Sequence, residues 1–177
     1  MRLFVGIAIP EDICERFAGL RSGLAGTRWV DVEAMHLTLR FIGTVDEPSA
    51  TDLDDELSQI VAPAFDLSFS GIGSFASGTR LRQLWVGTEK SSPLHHLQSK
   101  VESAVVRAGF GSEGRKFKPH VTLARFKSAP RGVGAYMEAH NSFAAGPFAI
   151  STFTLFRSHL NRDGAQYEAL AEYPLGA

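Results

Sequence analysis

The chain has one cysteine, no apolar run long enough to cross a bilayer and almost no net charge, and each shortage closes off a class of function. A single thiol rules out an internal disulfide and a cysteine-built zinc site. Cys14 sits within an apolar helical pattern, where a small buried residue is expected before a nucleophile. The longest apolar stretch near the start, "LFVGIAI", is far short of the ~20 residues a membrane helix needs. Nothing after it resembles a signal-peptide cleavage region, so a cytoplasmic location is expected, with no membrane contact. A net charge of −1 excludes a protein coated in positive charge for gripping long nucleic acid. The charge is nevertheless uneven. Residues 46–56 are acidic, whereas residues 115–131, "RKFKPHVTLARFKSAPR", hold six Lys or Arg and no Asp or Glu.

At 177 residues the chain suits one compact domain spanning 1–177. "RLFVGIAIP" alternates as a strand and ends at Pro10; residues 11–25 place Ile13, Phe17, Leu20 and Leu24 on one helical stripe. A strand at 36–42 and a helix from about Pro48, with Leu53, Leu57 and Ile60 inward, follow. "FDLSFSGIGSF" and "RLRQLWVGTE" read as two strands joined through the Gly/Ser-rich turn at 73–79. The pattern then repeats. "SSPLHHLQSKVESAVVRAG" is a helix with Ser92 as N-cap, Pro93 at the first helical position and Gly109 past its end. "HVTLARF" is the next strand, a short helix falls near 133–141, and "PFAISTFTLFRS" and "AQYEALAEYPL" close the chain as strands. The economical reading is a duplicated α+β unit: two lobes with antiparallel-rich sheets, helices outside and a central cleft, and a monomer by default.

The repeat carries a motif. "HLTLRFIG" at 36–43 and "HVTLAR" at 120–125 each read His-x-Thr-Leu, 84 residues apart. Strand alternation sends Leu37, Leu39 and Phe41 one way and His36, Thr38 and Arg40 the other. If the halves are related by a two-fold, both histidines and both threonines face one cleft. In-line displacement at phosphorus needs a base on the attacking side and an acid on the leaving side. Imidazole, with a pKa near ~6.5, fills either role. A threonine two residues along donates its hydroxyl to a non-bridging oxygen as charge builds. His36 and His120 are therefore the candidate catalytic pair and Thr38 and Thr122 the candidate phosphate clamps, with no metal and no cofactor required. His95 and His96 diverge on their helix, and His140 and His159 have no spaced partner in sequence for a metal site.

These segments resemble the two-histidine (2H) phosphoesterase superfamily. Within it, "RLFVGIAIP", "RWVDVEAMHLTLRFIG", "FKPHVTLAR" and "LFRSHLNRDGAQYEALAEYPL" are similar to the RNA 2′,3′-cyclic phosphodiesterases historically called 2′-5′ RNA ligases. The resemblance implies a bilobal fold and hydrolysis of RNA 2′,3′-cyclic phosphate ends to 2′-phosphates. His120 would act as base and His36 as acid. It also implies a reversible 2′-5′ ligation in some members. Ligation, small cyclic nucleotides as substrates, and a non-catalytic RNA-end or nucleotide-binding module are the alternatives. Arg125 resembles the family's arginine after the second motif; alternation puts it with Val121 and Leu123, so a bend or bulge must re-aim it, or it is no ligand. Arg40 is expected either in the cleft or in an outward salt bridge. Phe4 and Tyr167 stand in family-like positions on the first and last strands, as base-stacking residues or as core.

Overall fold

The computed structural model describes residues 1–176. In chain order the elements are β1 (Arg2–Ala8), α1 (Glu11–Ala18), β2 (His36–Thr44), α2 (Glu47–Ser58), β3 (Phe65–Ser77), β4 (Arg80–Thr88), α3 (Ser92–Arg107), β5 (His120–Arg125), α4 (Val133–His140), β6 (Ala144–Ile150), β7 (Thr152–Asn161) and β8 (Gly164–Pro174). Two four-stranded sheets, ordered β2-β1-β7-β8 and β5-β4-β3-β6, are antiparallel throughout. The fold is α+β. Each sheet takes two strands from each half of the sequence, so a lobe is not one sequence half. This interleaving leaves β2 and β5, the two His-x-Thr strands, at a sheet edge each.

Local chemistry sets the element ends. Asp46 caps α2 by accepting from the Ser49 N–H at 2.9 Å. The cap of α3 is Ser91, which accepts from the Leu94 N–H at 3.2 Å, and Ser92 is already helical. The expected cap at Ser92 is one residue late, because Pro93 fits anywhere in the unsatisfied first turn. Helix α1 stops at Ala18, well before residue 25. Past it the chain turns through Gly23 and Gly26, both at positive φ, a region that glycine enters at no steric cost. Leu20 and Leu24 still reach the core from that coil. "PFAISTFTLFRS" is two strands, not one. Ile150 ends β6 in one sheet and Phe153 belongs to β7 in the other; both are buried, and only the exposed pair Ser151-Thr152 separates the two apolar stretches at the crossing.

The core is continuous between the sheets and helices, with Phe17, Phe69, Phe153, Leu37, Leu57 and Leu97 fully enclosed. Each such side chain contributes about 1.5–3 kcal/mol by leaving water. Cys14 is buried on α1, and burial pushes its thiol pKa up, away from nucleophilic use. Among the described residues no helix is long and apolar enough to cross a membrane.

Candidate active site

The two motif strands share one backbone irregularity. Along β2, Val5 pairs with Arg40 and Gly6 with Thr38, leaving Leu39 as an extra residue. Along β5, Leu84 pairs with Ala124 and Trp85 with Thr122, leaving Leu123 extra. A β-bulge at the same place in both motifs shifts alternation by one for the residues that follow, until in β2 a second irregularity leaves Ile42 extra. Ahead of the bulge, His36, Thr38, His120 and Thr122 line a single cavity of about 680 Å³. Beyond it the faces exchange. Ala124 is buried, and the exposed Arg125 lines the cavity with both motifs.

The same exchange corrects the expectation for Phe41 and bears on the two readings of Arg40. Phe41, expected in the core, lines the cavity and is 53% exposed. Arg40, 8% exposed, borders the same cavity, but its guanidinium is taken up by protein partners. Its Nε donates to Glu102 Oε2 at 2.7 Å, one Nη to Phe41 O at 2.7 Å, and the other to Gly111 O. Of the two readings open for Arg40, the structural ion pair is the one formed, but it is buried rather than outward.

Each histidine is held the same way. His36 Nδ1 is 3.0 Å from Ala34 O and His120 Nδ1 is 2.6 Å from Lys118 O, in each case the carbonyl two residues back. A carbonyl only accepts, so Nδ1 carries the proton and Nε2 presents the lone pair of the neutral ring. Around the rings the two sites differ. His36 lies over Phe4 with centroids 4.4 Å apart and meets Tyr167 edge-on at 4.7 Å. His120 meets Phe75 edge-on at 4.9 Å, with Trp85 beyond at 5.8 Å. Burial, followed by the positive charges of Arg125 and His120, pushes the His36 pKa down to about 4 against the pull of the Ala34 carbonyl. His120 is also lowered, by burial first and then Arg125.

The threonines are used differently. Thr38 Oγ1 is 3.0 Å from His36 Nε2, and because that nitrogen has the lone pair, the hydroxyl donates. Thr122 Oγ1 instead accepts from Gln83 Nε2, which leaves its own O–H free to donate into the cavity. Gln83 is the residue missed in sequence. Its signal is a lone amide on the non-core face of β4, where Leu84 and Val86 face inward and Gln83 and Trp85 do not. Trp85 lies flat on the sheet because residue 73 is glycine: a Cβ there would fall 2.1 Å from the indole.

Phe4, expected as a possible base-stacking residue, is 1% exposed beneath His36 and has no free face for a base. It forms the floor on which the imidazole rests. Tyr167 does line the cavity. His159 has a partner after all, Glu168 across the β7–β8 hairpin at 2.8 Å. Among the described residues no three His, Cys, Asp or Glu converge to hold a metal ion.

The sequence profile of the 2′-5′ RNA ligase superfamily matches residues 9–162. The chain belongs to that superfamily. It is 30% identical over 173 residues to an RNA 2′,3′-cyclic phosphodiesterase of Archaeoglobus fulgidus, covering 96% of this chain and 98% of the relative. An RNA 2′,3′-cyclic phosphodiesterase of Aeropyrum pernix is 35% identical over 165 residues, 89% of this chain and 93% of the relative. In structure this superfamily member is similar to Escherichia coli LigT in its apo form, with a TM-score of 0.80 and 27% identity over 99% of this chain and 98% of that one. LigT complexed with 3′-AMP gives a TM-score of 0.79 at 27% identity, covering 98% and 97%.

Proposed function

We propose that the protein hydrolyses the 2′,3′-cyclic phosphate at RNA ends to a 2′-phosphomonoester by paired histidine acid–base catalysis. One observation carries the reading. Two histidines and two threonines, delivered by edge strands of different sheets, line one cavity with Arg125, and each imidazole is set with Nδ1 protonated and the lone pair on Nε2, which in His36 accepts from Thr38. The relatives' names and the superfamily supply the substrate class.

In this reading the cyclic phosphate lies between the histidines, its non-bridging oxygens taking hydrogen bonds from Thr122 Oγ1 and Arg125. His120 Nε2 accepts a proton from water as the water oxygen bonds to phosphorus. The bond from phosphorus to O3′ breaks on the opposite side, and protonated His36 Nε2 gives its proton to O3′. The phosphate stays on O2′. Arg125 stabilises the charge that gathers on the equatorial oxygens.

The low pKa of His36 fits the acid role only once substrate is bound. The anionic phosphate offsets Arg125 and lifts the imidazole, so the proton arrives with the substrate. Protonation also releases Thr38. Nε2 then donates rather than accepts, and the Thr38 hydroxyl turns from the ring to the phosphate.

The test is RNA ending in a 2′,3′-cyclic phosphate, incubated with the protein in excess chelator, with the product terminus identified by mass spectrometry and NMR. A 2′-phosphate is expected, and His36→Ala or His120→Ala should lower kcat/KM by about 10³-fold or more. A 3′-phosphate product, or full activity in either variant, contradicts the proposal.

A further inference from the structure

The five motif-strand groups His36, Thr38, His120, Thr122 and Arg125 account for only part of the cavity lining. One further stretch runs over Phe41, past Gln98 on α3, and along the loop at Glu113, Arg115, Lys116 and Lys118. We propose that this second stretch is a subsite for the nucleotide preceding the cyclic end, its base on Phe41 and its phosphodiester on Lys116 and Lys118. The inference rests on the functional reading above and deepens it: the preferred substrate is an oligonucleotide rather than a cyclic mononucleotide.

Three observations carry it. An aromatic ring that is 53% exposed is a costly thing to leave in water, yet the bulge at Leu39 aims Phe41 into the cleft instead of the core. Any nucleobase can stack on such a ring, because stacking needs only a π-face. The loop facing it is cationic. Arg115 is paired with Glu113 at 3.2 Å, but among the described residues no carboxylate pairs with Lys116 or Lys118. The Lys118 ammonium lies over the Phe75 ring at 5.9 Å, and two ammonium groups without a carboxylate partner on a cavity wall suit a phosphodiester rather than an uncharged ligand. Finally, the loop is anchored. Arg40 donates to Gly111 O, and Glu102, bound to Arg40 at 2.7 Å, accepts the Glu113 N–H at 2.8 Å. The buried arginine two residues past Thr38 thus ties the start of the loop to β2, the strand that carries Phe41.

The experiment compares a dinucleotide ending in a 2′,3′-cyclic phosphate with the cyclic mononucleotide of the same terminal base. The wild-type ratio of their kcat/KM values should be about ten or more, and should fall as salt rises. Lys116→Ala/Lys118→Ala and Phe41→Leu should each bring the ratio toward one. Phe41→Leu keeps an apolar side chain, and thermal unfolding of each variant checks that the fold is intact. A wild-type ratio near one, or ratios unchanged in folded variants, overturns the subsite while leaving hydrolysis in place. Failure to turn over either substrate overturns the functional reading itself, and the subsite with it.

Discussion

The first motif continues after its threonine as Leu39-Arg40-Phe41 and the second as Leu123-Ala124-Arg125. Both strands bulge at the leucine, so both bury the next residue and send the one after it into the cleft. Only the residues differ. In the first motif the buried position holds an arginine that ties down a loop, and the cleft position holds an aromatic ring. In the second, a small alanine is buried and the cleft position holds the cation beside both histidines. Intact alternation brings the two motif histidines to the cleft alike, and one backbone device used twice then sets the two side chains past it to different work. His36 is correspondingly the more enclosed imidazole and His120 the more open one.

That division can be broken most severely at Arg125. Arg125→Gln keeps a polar side chain but removes the charge, and should lower kcat/KM about 10²–10³-fold. It should also change the pH dependence. Both histidines are lowered in the wild type, so the kcat/KM bell, which reports the free enzyme's coupled pair, should peak on the acid side of pH 6.5. Activity then falls as pH rises and the pair loses its one proton. Removing Arg125 takes away a charge that disfavours protonation, so the bell of Arg125→Gln should move toward alkaline pH. A wild-type kcat/KM optimum above pH 8, or an unmoved bell in the variant, would contradict this account.

Arg40→Ala makes the first motif imitate the second. Glu102 then loses its partner, and breaking a buried pair by removing one member costs about 3 kcal/mol. Chemical denaturation should show a lower midpoint at constant slope. A loss under about 0.5 kcal/mol would mean that the pair is ordinary surface electrostatics.

The pH dependence of stability tests the enclosure of His36. Its folded-state pKa is depressed to about 4 from 6.5, so below pH 6.5 the unfolded chain takes up a proton that the native protein refuses. Stability should fall through that window, by at most about 3 kcal/mol at its acid end, and His36→Gln should flatten the fall. An equal slope in wild type and variant would show that the ring is solvated.

The smallest expected effects lie at the threonines. Thr122→Val should cost about 10–100-fold in kcat. Gln83→Leu should cost about 3–10-fold, and almost nothing in a Thr122→Val background, because Gln83 acts by orienting that hydroxyl. Additive losses would give Gln83 a separate role.

How much of this was legible in the sequence follows from where strand periodicity holds. His36, Thr38, His120 and Thr122 could be assigned to one face because alternation is intact up to each bulge. The bulges themselves leave no mark, since Leu39 and Leu123 look like ordinary core residues in an alternating strand. Arg40 and Phe41 therefore stood on exchanged faces in the sequence reading, and Arg125 could be placed only on the condition of a bulge. The chain's crossing at Ser151 was hidden because only Ser151 and Thr152 separate the buried Ile150 of one sheet from the buried Phe153 of the other, too short a break to read as a turn. Gln83 acts through a cross-strand contact to Thr122, 39 residues away, which no local pattern reports.

The most direct test of the paired-histidine account replaces the bridging 3′ oxygen of the cyclic phosphate with sulfur, a leaving group that needs little protonation. His36→Ala should be severely slow on the oxygen substrate and largely recover on the sulfur one, while His120→Ala stays slow on both because water still lacks its base. Unchanged thermal unfolding first confirms that both variants are folded. Recovery of His120→Ala instead would reverse the two roles. Recovery of neither would contradict the acid–base division and leave one imidazole as a phosphate ligand.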